Sequence, residues 1–402
     1  MKAVVLALVL ALGLVSGTGG GVALQPAATA VVIPFELAVR HVIVKVTING
    51  SRPLSFVLDT GANVAIVRMP VAKELGLQFE GSVSTGGAGE GRQAGQRVKN
   101  ARWSLVGLEG FSQPVSLALP FPALPSGLGQ DVDGIIGGEF IKEFVIELDY
   151  QARRLTLYNR KTFAYTGTGH PLPIELNSNN HPVLKAKVTP AGGKPTEDQF
   201  VLDIGSGGGL ILHSPFVAMH KLPGAEVKTV RAIGMVGAGG RSVGRVGRVD
   251  SLQIGPYTIK EVPTTFSEDE GGAFADRTLG GNIGARVADR FKMFIDYSRK
   301  RIILEPSSKF AEAFDGLATG LAVRAFGADY RTFRVVEVLE DSPASDAGLL
   351  EGDVITDVNG APAEKFTLTL LLEALVKPGS HRLTIQRGDT TVAVTLTPRR
   401  LV

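Results

Sequence analysis

The hydrophobic pattern over most of the chain is a short alternation of apolar and polar positions, which is typical of β-strands. The segment HVIVKVTING (41–50) alternates in this way and ends in Asn-Gly, a common turn dipeptide. Two further segments, FVIELDYQARRLTLY (144–158) and FKMFIDYSRKRIILEP (291–306), predict β-hairpins with polar turns. Short helices are predicted at MPVAKELGL (69–77) and SPFVAMHKL (214–222). The pattern up to residue 306 therefore predicts a mainly β structure.

The pattern changes after Pro306. The segment FRVVEVLEDSPASDAGLLEGDVITDVNG (333–360) predicts a strand, a helix start at Ser-Pro, a Gly-Asp turn, a second strand and an Asn-Gly turn. An amphipathic helix from about Thr367 to Val376 and two final strands follow. Residues 316–402 are therefore expected to form a separate, compact α+β module.

The β part of the chain contains an internal repeat. FVLDTG (56–61) returns as FVLDIG (200–205), so that Asp59 and Asp203 occupy the same position in two copies. A glycine-rich tract follows in each copy, at residues 86–91 and 234–244, and then an apolar segment entering Gly-Gly and a hairpin. We align Gly138 with Gly281 and Asp149 with Asp296, at the cost of a four-residue insertion in the second copy. The copies are expected to form two lobes, residues 31–165 and 166–306.

Composition limits the function. A chain of 402 residues is long enough for two or three domains. Its net charge of +3 comes from 42 basic and 39 acidic residues, with no Lys/Arg run that contains interleaved aromatics, so nucleic acid is not an expected partner. The chain contains no cysteine, which excludes disulfides, thiolate nucleophiles and cysteine-ligated zinc.

The N-terminus has the features of an export signal. Lys2 precedes an apolar run over residues 3–15, and small residues follow. We predict a bacterial-type signal peptide over residues 1–30 and a periplasmic or secreted protein, with an uncleaved anchor as the alternative. No comparably long apolar run follows residue 31, so the mature chain is expected to have no stable transmembrane segment.

The repeated aspartates have a chemical rationale. Two carboxylates within hydrogen-bond reach share one proton because they cannot both ionise easily. The ionised carboxylate can then accept a proton from water while the protonated one donates to a carbonyl oxygen. Two lobes that each place one aspartate on a tight turn after a buried strand would supply such a pair at their interface, around a pseudo-twofold axis. Gly61 and Gly205 would let the backbone turn sharply there.

These residues resemble a known family. Asp59-Thr60-Gly61-Ala62, the glycine-rich hairpin and Ile135-Ile136-Gly137 resemble the lobe of an aspartic protease, closest to the retropepsin-like type. The resemblance implies the duplicated two-lobe β-barrel fold, a peptide or protein substrate and no metal or organic cofactor. It implies that the catalytic pair is Asp59 and Asp203, and that five residues support it, namely Thr60, Gly61, Ala62, Gly205 and Ser206.

The resemblance also implies a role for the glycine-rich tracts. They would be flaps that fold over an extended peptide, and an ordinary hairpin turn is the alternative. The flap residues would be Gly87, Ala88, Gly89, Gly237, Ala238 and Gly239.

The sequence departs from the family at Ile204. Family members have Thr or Ser after each aspartate, with a hydroxyl that bonds across to the opposite turn. Thr60 fits this pattern, whereas the Ile204 side chain cannot make such a bond. Two alternatives therefore remain open: a catalytically inactive peptide-binding protein, and an enzyme that completes its pair with Asp59 from two protomers.

The C-terminal module resembles a PDZ domain of the permuted bacterial kind. The resemblance rests on the segment SPASDAGLLEGDVITDVNG (342–360) and on the helix near Thr367. It implies strand addition of peptide C-termini, with the carboxylate held by loop N–H groups. The peptide-binding residues would be Gly320, Leu321, Ala322 and Val323, although Ala322 stands where many members have glycine.

Other protease classes lack their motifs. The sequence contains no Gly-Asn/Asp-Ser-Gly-Gly nucleophile turn, and Ser206 lies in Ile-Gly-Ser-Gly instead. No His-Glu-x-x-His zinc motif is present. The six histidines are predicted to be surface or loop residues: His41, His170, His181, His213, His220 and His381.

Overall fold

The computed structural model describes residues 30–402, apart from residues 106, 112, 114, 233, 234 and 316. The predicted signal peptide, except for residue 30, thus lies outside the described residues. The described chain forms two β lobes joined by a shared sheet, followed by the C-terminal module. This confirms the mainly β fold class and its duplicated two-lobe arrangement. Among the described residues, no helix has the length and apolar character needed to cross a membrane.

A six-stranded sheet joins the lobes. The two hairpins predicted from the sequence lie at its centre, and Ile146 of the first pairs with Ile295 of the second in antiparallel register. Both isoleucines are fully buried, so this sheet contributes apolar side chains to the core that joins the two lobes. Its strands are β1 (Val31–Pro34), β12 (Phe144–Asp149), β13 (Arg154–Asn159), β14 (His170–Pro173), β25 (Phe291–Asp296) and β26 (Arg301–Pro306).

The first lobe is built on a ten-stranded sheet. Its core includes the fully buried Phe56 and Trp103, whose rings meet edge to face. The strands are β2 (Glu36–Ala38), β3 (His41–Ile48), β4 (Leu54–Leu58), β5 (Ala65–Arg68), β6 (Gln78–Thr85), β7 (Gln93–Lys99), β8 (Trp103–Leu105), β9 (Leu108–Phe111), β10 (Ser116–Leu119) and β11 (Gly134–Ile136).

The second lobe has an eight-stranded sheet and a small separate hairpin. The hairpin consists of β20 (Val236–Gly237) and β21 (Gly240–Arg241). The strands of the sheet are β15 (Glu175–Leu176), β16 (Pro182–Thr189), β17 (Thr196–Leu202), β18 (Leu210–Leu212), β19 (Val230–Arg231), β22 (Gly244–Ile254), β23 (Tyr257–Ser267) and β24 (Gly281–Ile283).

The same three-strand arrangement occurs in both lobes. β11 runs parallel to β4 and antiparallel to β5, and β24 runs parallel to β17 and antiparallel to β18. In this register Gly134 pairs with Phe56 and Gly281 pairs with Phe200. The alignment of Gly138 with Gly281 is therefore wrong: Gly134 is the counterpart, and no insertion separates it from the following hairpin. Strand pairing fixes this register, whereas the Gly-Gly dipeptides misled the sequence comparison.

The helices are short. Those predicted after the two aspartate turns occur, and each has a proline in its first turn, where the missing N–H is not needed. α2, which follows Pro122, was not predicted. The helices are α1 (Met69–Glu74), α2 (Ala123–Leu128), α3 (Gly138–Ile141), α4 (Ser214–Met219), α5 (Ala285–Ala288), α6 (Pro343–Asp346) and α7 (Leu368–Leu375); single 3-10 turns occupy Ala273–Ala275, Tyr297–Arg299 and Ala363–Lys365.

The C-terminal module has its own hydrophobic core. The Thr367 hydroxyl accepts a hydrogen bond from Leu370 N (3.1 Å) and so caps α7, while Ser342 and Ser345 form a capping box on α6. β28 lies at the edge of the main sheet. The strands are β27 (Leu317–Ala318), β28 (Leu321–Phe326), β29 (Thr332–Val338), β30 (Val354–Val358), β31 (Ala361–Pro362), β32 (His381–Arg387), β33 (Thr390–Leu396) and β34 (Arg399–Arg400).

Candidate active site

Each candidate aspartate follows a buried strand and is anchored in the same way. Asp59 follows β4, and its N–H donates to the carbonyl of Ile136 (2.9 Å). Asp203 follows β17, and its N–H donates to the carbonyl of Ile283 (2.9 Å). The parallel neighbours β11 and β24 therefore hold the two turns in equivalent positions.

The glycine of each turn packs against the carboxylate of the other. A Cβ on Gly61 would lie 2.5 Å from Asp203 Oδ1, and a Cβ on Gly205 would collide with the Asp59 carboxyl group. Neither position tolerates a side chain because the opposite aspartate fills the space. The structure thus brings Asp59 and Asp203 of one chain together, and a second protomer is not needed to complete the pair.

The environment of Asp59 favours a bound proton. Burial raises the pKa of Asp59 well above its usual range, and the nearby Asp203 carboxylate raises it further. The N–H groups of Gly61 and Gly205 act in the opposite direction, and Gly61 N donates to Asp59 Oδ1 (2.7 Å). A pair that holds one proton at neutral pH can serve as both acid and base.

Thr60 bonds across the lobe interface even though its counterpart is Ile204. Its buried hydroxyl donates to Leu202 O (2.5 Å) and accepts from Ile204 N (3.0 Å). Both partners belong to the backbone, so the bond does not depend on the side chain at position 204. Ile204 itself is fully buried in the large core that joins the lobes. The departure from the family pattern therefore removes one of two reciprocal side-chain bonds and replaces it with apolar packing.

Ser206 does not support Asp203 as expected. Among the described residues, its hydroxyl makes no hydrogen bond to either aspartate. Asn282 of β24 supplies the bond instead, with Nδ2 donating to Asp203 Oδ2 (2.8 Å). Sequence reasoning missed Asn282, although a polar residue within the buried stretch Leu279-Gly-Gly-Asn-Ile was the available signal. In the first lobe, Ala62 lies against Gly137, which has no room for a Cβ beside the Ala62 carbonyl.

The prediction that the histidines are surface or loop residues is wrong for His381, which is buried in β32, whereas His213 lies in the loop before α4 but is buried. His213 is 1% exposed and its Nε2 lies 2.9 Å from Asn282 Oδ1. His381 is also buried and bonds to Lys377 O. Burial lowers the pKa of His41, of His181 and of His213, and the charge of Asp203 acts on the first two in the opposite direction. Histidines that are scattered in the sequence therefore gather around the second aspartate.

The two glycine-rich tracts meet at their tips. The first joins β6 to β7, and the second, as far as it is described, contains the β20–β21 hairpin. Gly91 N donates to Gly239 O (2.7 Å), and Gly239 N donates to Ala88 O (2.7 Å). Gly87 faces Ala238, and Gly237 faces Ala88, at distances that leave no space for an added Cβ. Gly89 likewise lies against Gly239, so all six candidate flap residues belong to one contact.

The candidate peptide-binding residues of the C-terminal module lie at a sheet edge that faces the first lobe. Gly320 adopts a positive φ of 74° and has no room for a Cβ beside Ser342. Leu321, Ala322 and Val323 begin β28, with a bulge between the last two.

The first lobe approaches this same part of the module. α2 lies against β28, and Gly129 packs on Leu368 at the start of α7. Val39 N donates to Thr369 Oγ1 (2.9 Å), and the Tyr330 hydroxyl donates to Asp131 (3.1 Å). Helix α2 therefore lies beside the space between β28 and α7, and this space is not fully open to solvent.

The C-terminal module also contacts the second glycine-rich tract. Glu337 of β29, which is buried, forms ion pairs with Arg231 (2.8 Å) and Arg241. These arginines lie on either side of the hairpin tip at Ala238 and Gly239. Two ion pairs to a buried carboxylate link the module to the element that meets the first tract.

One cavity among the described residues lies away from the aspartates. It has a volume of about 660 Å³ and lies on the second lobe, beside β16, with Leu172, Ile174, Val183 and Lys185 among its lining residues. The candidate active site is therefore the pair of carboxylates and not this cavity.

Comparison with known proteins agrees with these observations. Residues 44–140 match the aspartyl protease family, and residues 334–387 match the PDZ domain family. Serine protease HTRA1 from Xenopus laevis is 36% identical over 67 residues, which make up 17% of this chain and 14% of that protein. The first lobe is therefore similar to aspartyl proteases, and the C-terminal module is similar to PDZ domains.

Solved structures also resemble parts of the chain. Aspartic proteinase from Irpex lacteus is 14% identical, with a TM-score of 0.42, and the match covers 71% of this chain and 99% of that one. The HtrA3 PDZ domain bound to a phage-derived ligand (FGRWV) is 24% identical, with a TM-score of 0.19, and the match covers 21% of this chain and 85% of that one.

Proposed function

We propose that this protein is an aspartic endopeptidase that hydrolyses peptide bonds with Asp59 and Asp203. The observation that carries the proposal is the reciprocal packing of Gly61 on Asp203 and of Gly205 on Asp59. It supports a carboxylate pair at the lobe interface, and the raised pKa of Asp59 supports a shared proton.

The reaction follows from that proton. The ionised carboxylate accepts a proton from a water molecule, whose oxygen forms a bond to the peptide carbonyl carbon. The protonated carboxylic acid donates its proton to the carbonyl oxygen, which gives a tetrahedral diol. As the C–N bond breaks, the protonated carboxyl group gives its proton to the leaving amine. The other carboxylate takes a proton from one diol hydroxyl, which becomes the C=O of the carboxylic acid product, so the pair again holds one proton.

The substrate in this proposal is an extended peptide beneath the two glycine-rich tips. Closed tips exclude water and strengthen electrostatic interactions around the carboxylates. Because Gly91 and Gly239 are hydrogen-bonded in the structure, substrate entry requires those bonds to open. The PDZ domain would bind a substrate or partner C-terminus at β28, and α2 would have to yield space to it.

The main alternative is a catalytically inactive peptide-binding protein. This alternative arose because Ile204 lacks the hydroxyl that family members have at this position. The Thr60 hydroxyl nevertheless bonds across the lobes to the backbone of Leu202 and of Ile204. The endopeptidase is therefore the better supported function.

Cleavage of a casein-type substrate tests the proposal. Wild type should cleave it, a statine-type transition-state mimic should inhibit, and Asp59→Asn should abolish cleavage without loss of folding. Asp250→Asn is a matched control because Asp250 is an exposed carboxylate on β22. Cleavage by Asp59→Asn at the wild-type rate would refute the mechanism, and peptide binding without cleavage by wild type would favour the alternative.

We further propose that residues 1–30 direct export to the periplasm or beyond. Cell fractionation and N-terminal sequencing of the full chain and of a chain lacking residues 2–30 test this. Retention of both chains in the cytoplasm would contradict it.

A further inference from the structure

Two buried residues, Asn282 and His213, are hydrogen-bonded to each other, and Asn282 is also hydrogen-bonded to Asp203. Asn282 Nδ2 donates to Asp203 Oδ2 (2.8 Å), and Asn282 Oδ1 lies 2.9 Å from His213 Nε2. Both residues are at least nine-tenths buried, with exposures of 9% and 1%. The bonds lie on the side of the carboxylate that faces the second lobe.

The chemistry of the amide gives these bonds a direction. An amide nitrogen only donates and an amide oxygen only accepts, so His213 Nε2 must carry a proton. Burial lowers the pKa of His213, while hydrogen bonds with the Asn282 side chain and the Asp276 backbone act in the opposite direction. If the amide were turned around, its oxygen would face Asp203 Oδ2, an arrangement that requires a protonated Asp203. A His213 ring protonated on Nε2 and an Asn282 amide that donates to Asp203 are therefore consistent with each other.

The first lobe lacks this pair. Ile135 occupies the position of Asn282, since both are the middle residue of equivalent three-residue strands. Arg68 occupies the position of His213, since each immediately precedes the helix after its aspartate turn. Asp59 receives backbone donors and a side-chain bond with Asp203, whereas Asp203 receives the buried side-chain donor of Asn282. The two halves of the pair differ in the very interaction that stabilises negative charge.

We propose that Asn282, oriented by His213, holds the negative charge on Asp203, so that the shared proton resides on Asp59. Asp203 is then the base that accepts the proton of water, and Asp59 is the acid that donates to the carbonyl oxygen. Asn282 and His213 are positioning residues that act through Asp203. This assignment rests on the proposed function for its catalytic consequence, but the location of the proton is a property of the resting protein.

Other groups face the pair and must be separated from this effect. His41 lies beneath Gly207, where a Cβ would be 3.1 Å from its Cε1, and both His41 and His181 interact with the charge of Asp203. Tyr297 interacts with the charge of Asp59, and burial raises the pKa of its hydroxyl. The histidines lie on the side of Asp203, so their protonation at low pH would act in the same direction as Asn282.

Carboxyl ¹³C NMR of aspartate-labelled full-length protein tests the proton location directly. Asp59→Asn and Asp203→Asn assign the two resonances. Near pH 6, wild type should show Asp203 ionised and Asp59 protonated. Asn282→Leu should remove this difference, whereas Ile135→Val, at the matched position of the first lobe, should preserve it. A protonated Asp203 in wild type, or the same difference in Asn282→Leu, would overturn the proposal.

Kinetics give a second readout. Asn282→Leu should lower kcat on the order of tenfold to a hundredfold, as expected for a hydrogen bond to a charged group, with KM changed by less than about twofold. The acid limb of its pH profile should move upward. His213→Phe should show a smaller loss, and His213→Gln should recover part of it because Gln retains an N–H donor. Repeating the measurements in a His181→Gln background removes one of the histidines that interact with the charge of Asp203.

The outcomes separate the two proposals. An active wild type with unchanged kcat and pH profile in Asn282→Leu overturns the role of Asn282 and leaves the endopeptidase standing. An inactive wild type with the expected carboxyl resonances refutes the endopeptidase and leaves the proton on Asp59. Thermal unfolding of each variant shows whether it has a folding defect. The NMR spectrum of Ile135→Val shows whether a loss of packing alone changes the carboxyl resonances.

Discussion

The Thr60 hydroxyl of the first lobe donates a hydrogen bond to the Leu202 carbonyl of the second lobe (2.5 Å). The same hydroxyl accepts a hydrogen bond from the N–H of Ile204. One buried hydroxyl therefore satisfies two backbone groups across the interface. It holds the two aspartate turns in register without help from a second hydroxyl. This contact, more than any sequence motif, explains how the pair tolerates Ile204.

Thr60→Val should damage both stability and activity. Loss of the hydroxyl leaves a buried carbonyl and a buried N–H unpaired, and each unpaired group costs about 1 to 3 kcal/mol. Urea unfolding should show the lower free energy of unfolding, and casein cleavage should fall. Thr60→Ser keeps the hydroxyl and should remain close to wild type, so an equal loss in both variants would contradict this account.

Ile204→Thr should change activity only modestly. The Thr60 bonds end on backbone atoms, so a hydroxyl at position 204 is not required to hold the turns. Stability should fall by about 1 to 2 kcal/mol because the exchange removes buried apolar atoms and adds a polar group. Steady-state kinetics measure the first effect and urea unfolding the second.

A large gain of hydrolysis in Ile204→Thr would instead identify the wild type as a disabled relic. That gain should disappear when Asp203→Asn is added. Inactivity of both wild type and Ile204→Thr, with peptide binding preserved, would favour the binding-protein alternative.

Stability should fall as pH rises through the titration of Asp59. The pKa of Asp59 is raised well above the ordinary value of 3.8, so the folded state binds its proton more tightly than the unfolded state does. The free energy of unfolding therefore decreases with pH from about 4 upward until the folded protein loses that proton. Asp59→Asn carries no such group, and its stability relative to wild type should increase across this window. Unfolding at pH 4, 5.5 and 7 measures it, and a constant difference would contradict the raised pKa.

Gly239→Ala should separate the glycine-rich tips. Its Cβ would collide with the carbonyl of Gly89, and the bonds from Gly91 and to Ala88 depend on that close approach. We expect a KM for peptide raised severalfold and faster hydrogen exchange at both tips. Gly86→Ala is the matched control, because its Cβ would meet neighbours at 3.7 Å, an ordinary contact distance. Similar kinetics in the two variants would show that the tip contact does not affect substrate binding.

Glu337→Gln should loosen the second tract. The exchange removes the charge that pairs with Arg231 and Arg241 while keeping the side-chain shape. Hydrogen exchange over residues 235–243 should accelerate, and KM should change while the PDZ domain stays folded. Glu340→Gln is the control, since Glu340 is an exposed glutamate of the same domain. Unchanged exchange in Glu337→Gln would mean that the PDZ domain does not restrain this hairpin.

The sequence by itself determined the elements that local pattern encodes. The alternation of apolar residues predicted the hairpins at β12–β13 and β25–β26, and short helices were predicted just after the two aspartate turns, where α1 and α4 lie. The repeated Phe-Val-Leu-Asp pointed to Asp59 and Asp203, because a carboxylate after a buried strand needs a chemical reason. Turn dipeptides and an amphipathic helix predicted the C-terminal α+β module, and the resemblance of residues 342–360 indicated a PDZ domain.

Only the tertiary structure decided how those elements meet. Strand pairing aligned Gly134 with Gly281, since register follows hydrogen bonds between strands that are distant in sequence. It also brought Asn282 and His213 to Asp203, contacts that no local pattern encodes. The contacts of α2 and Glu337 with other domains were equally invisible. Local propensity acts over a few residues, whereas the polar groups around Asp203 come from separate strands and are brought together only when the lobe closes around its core.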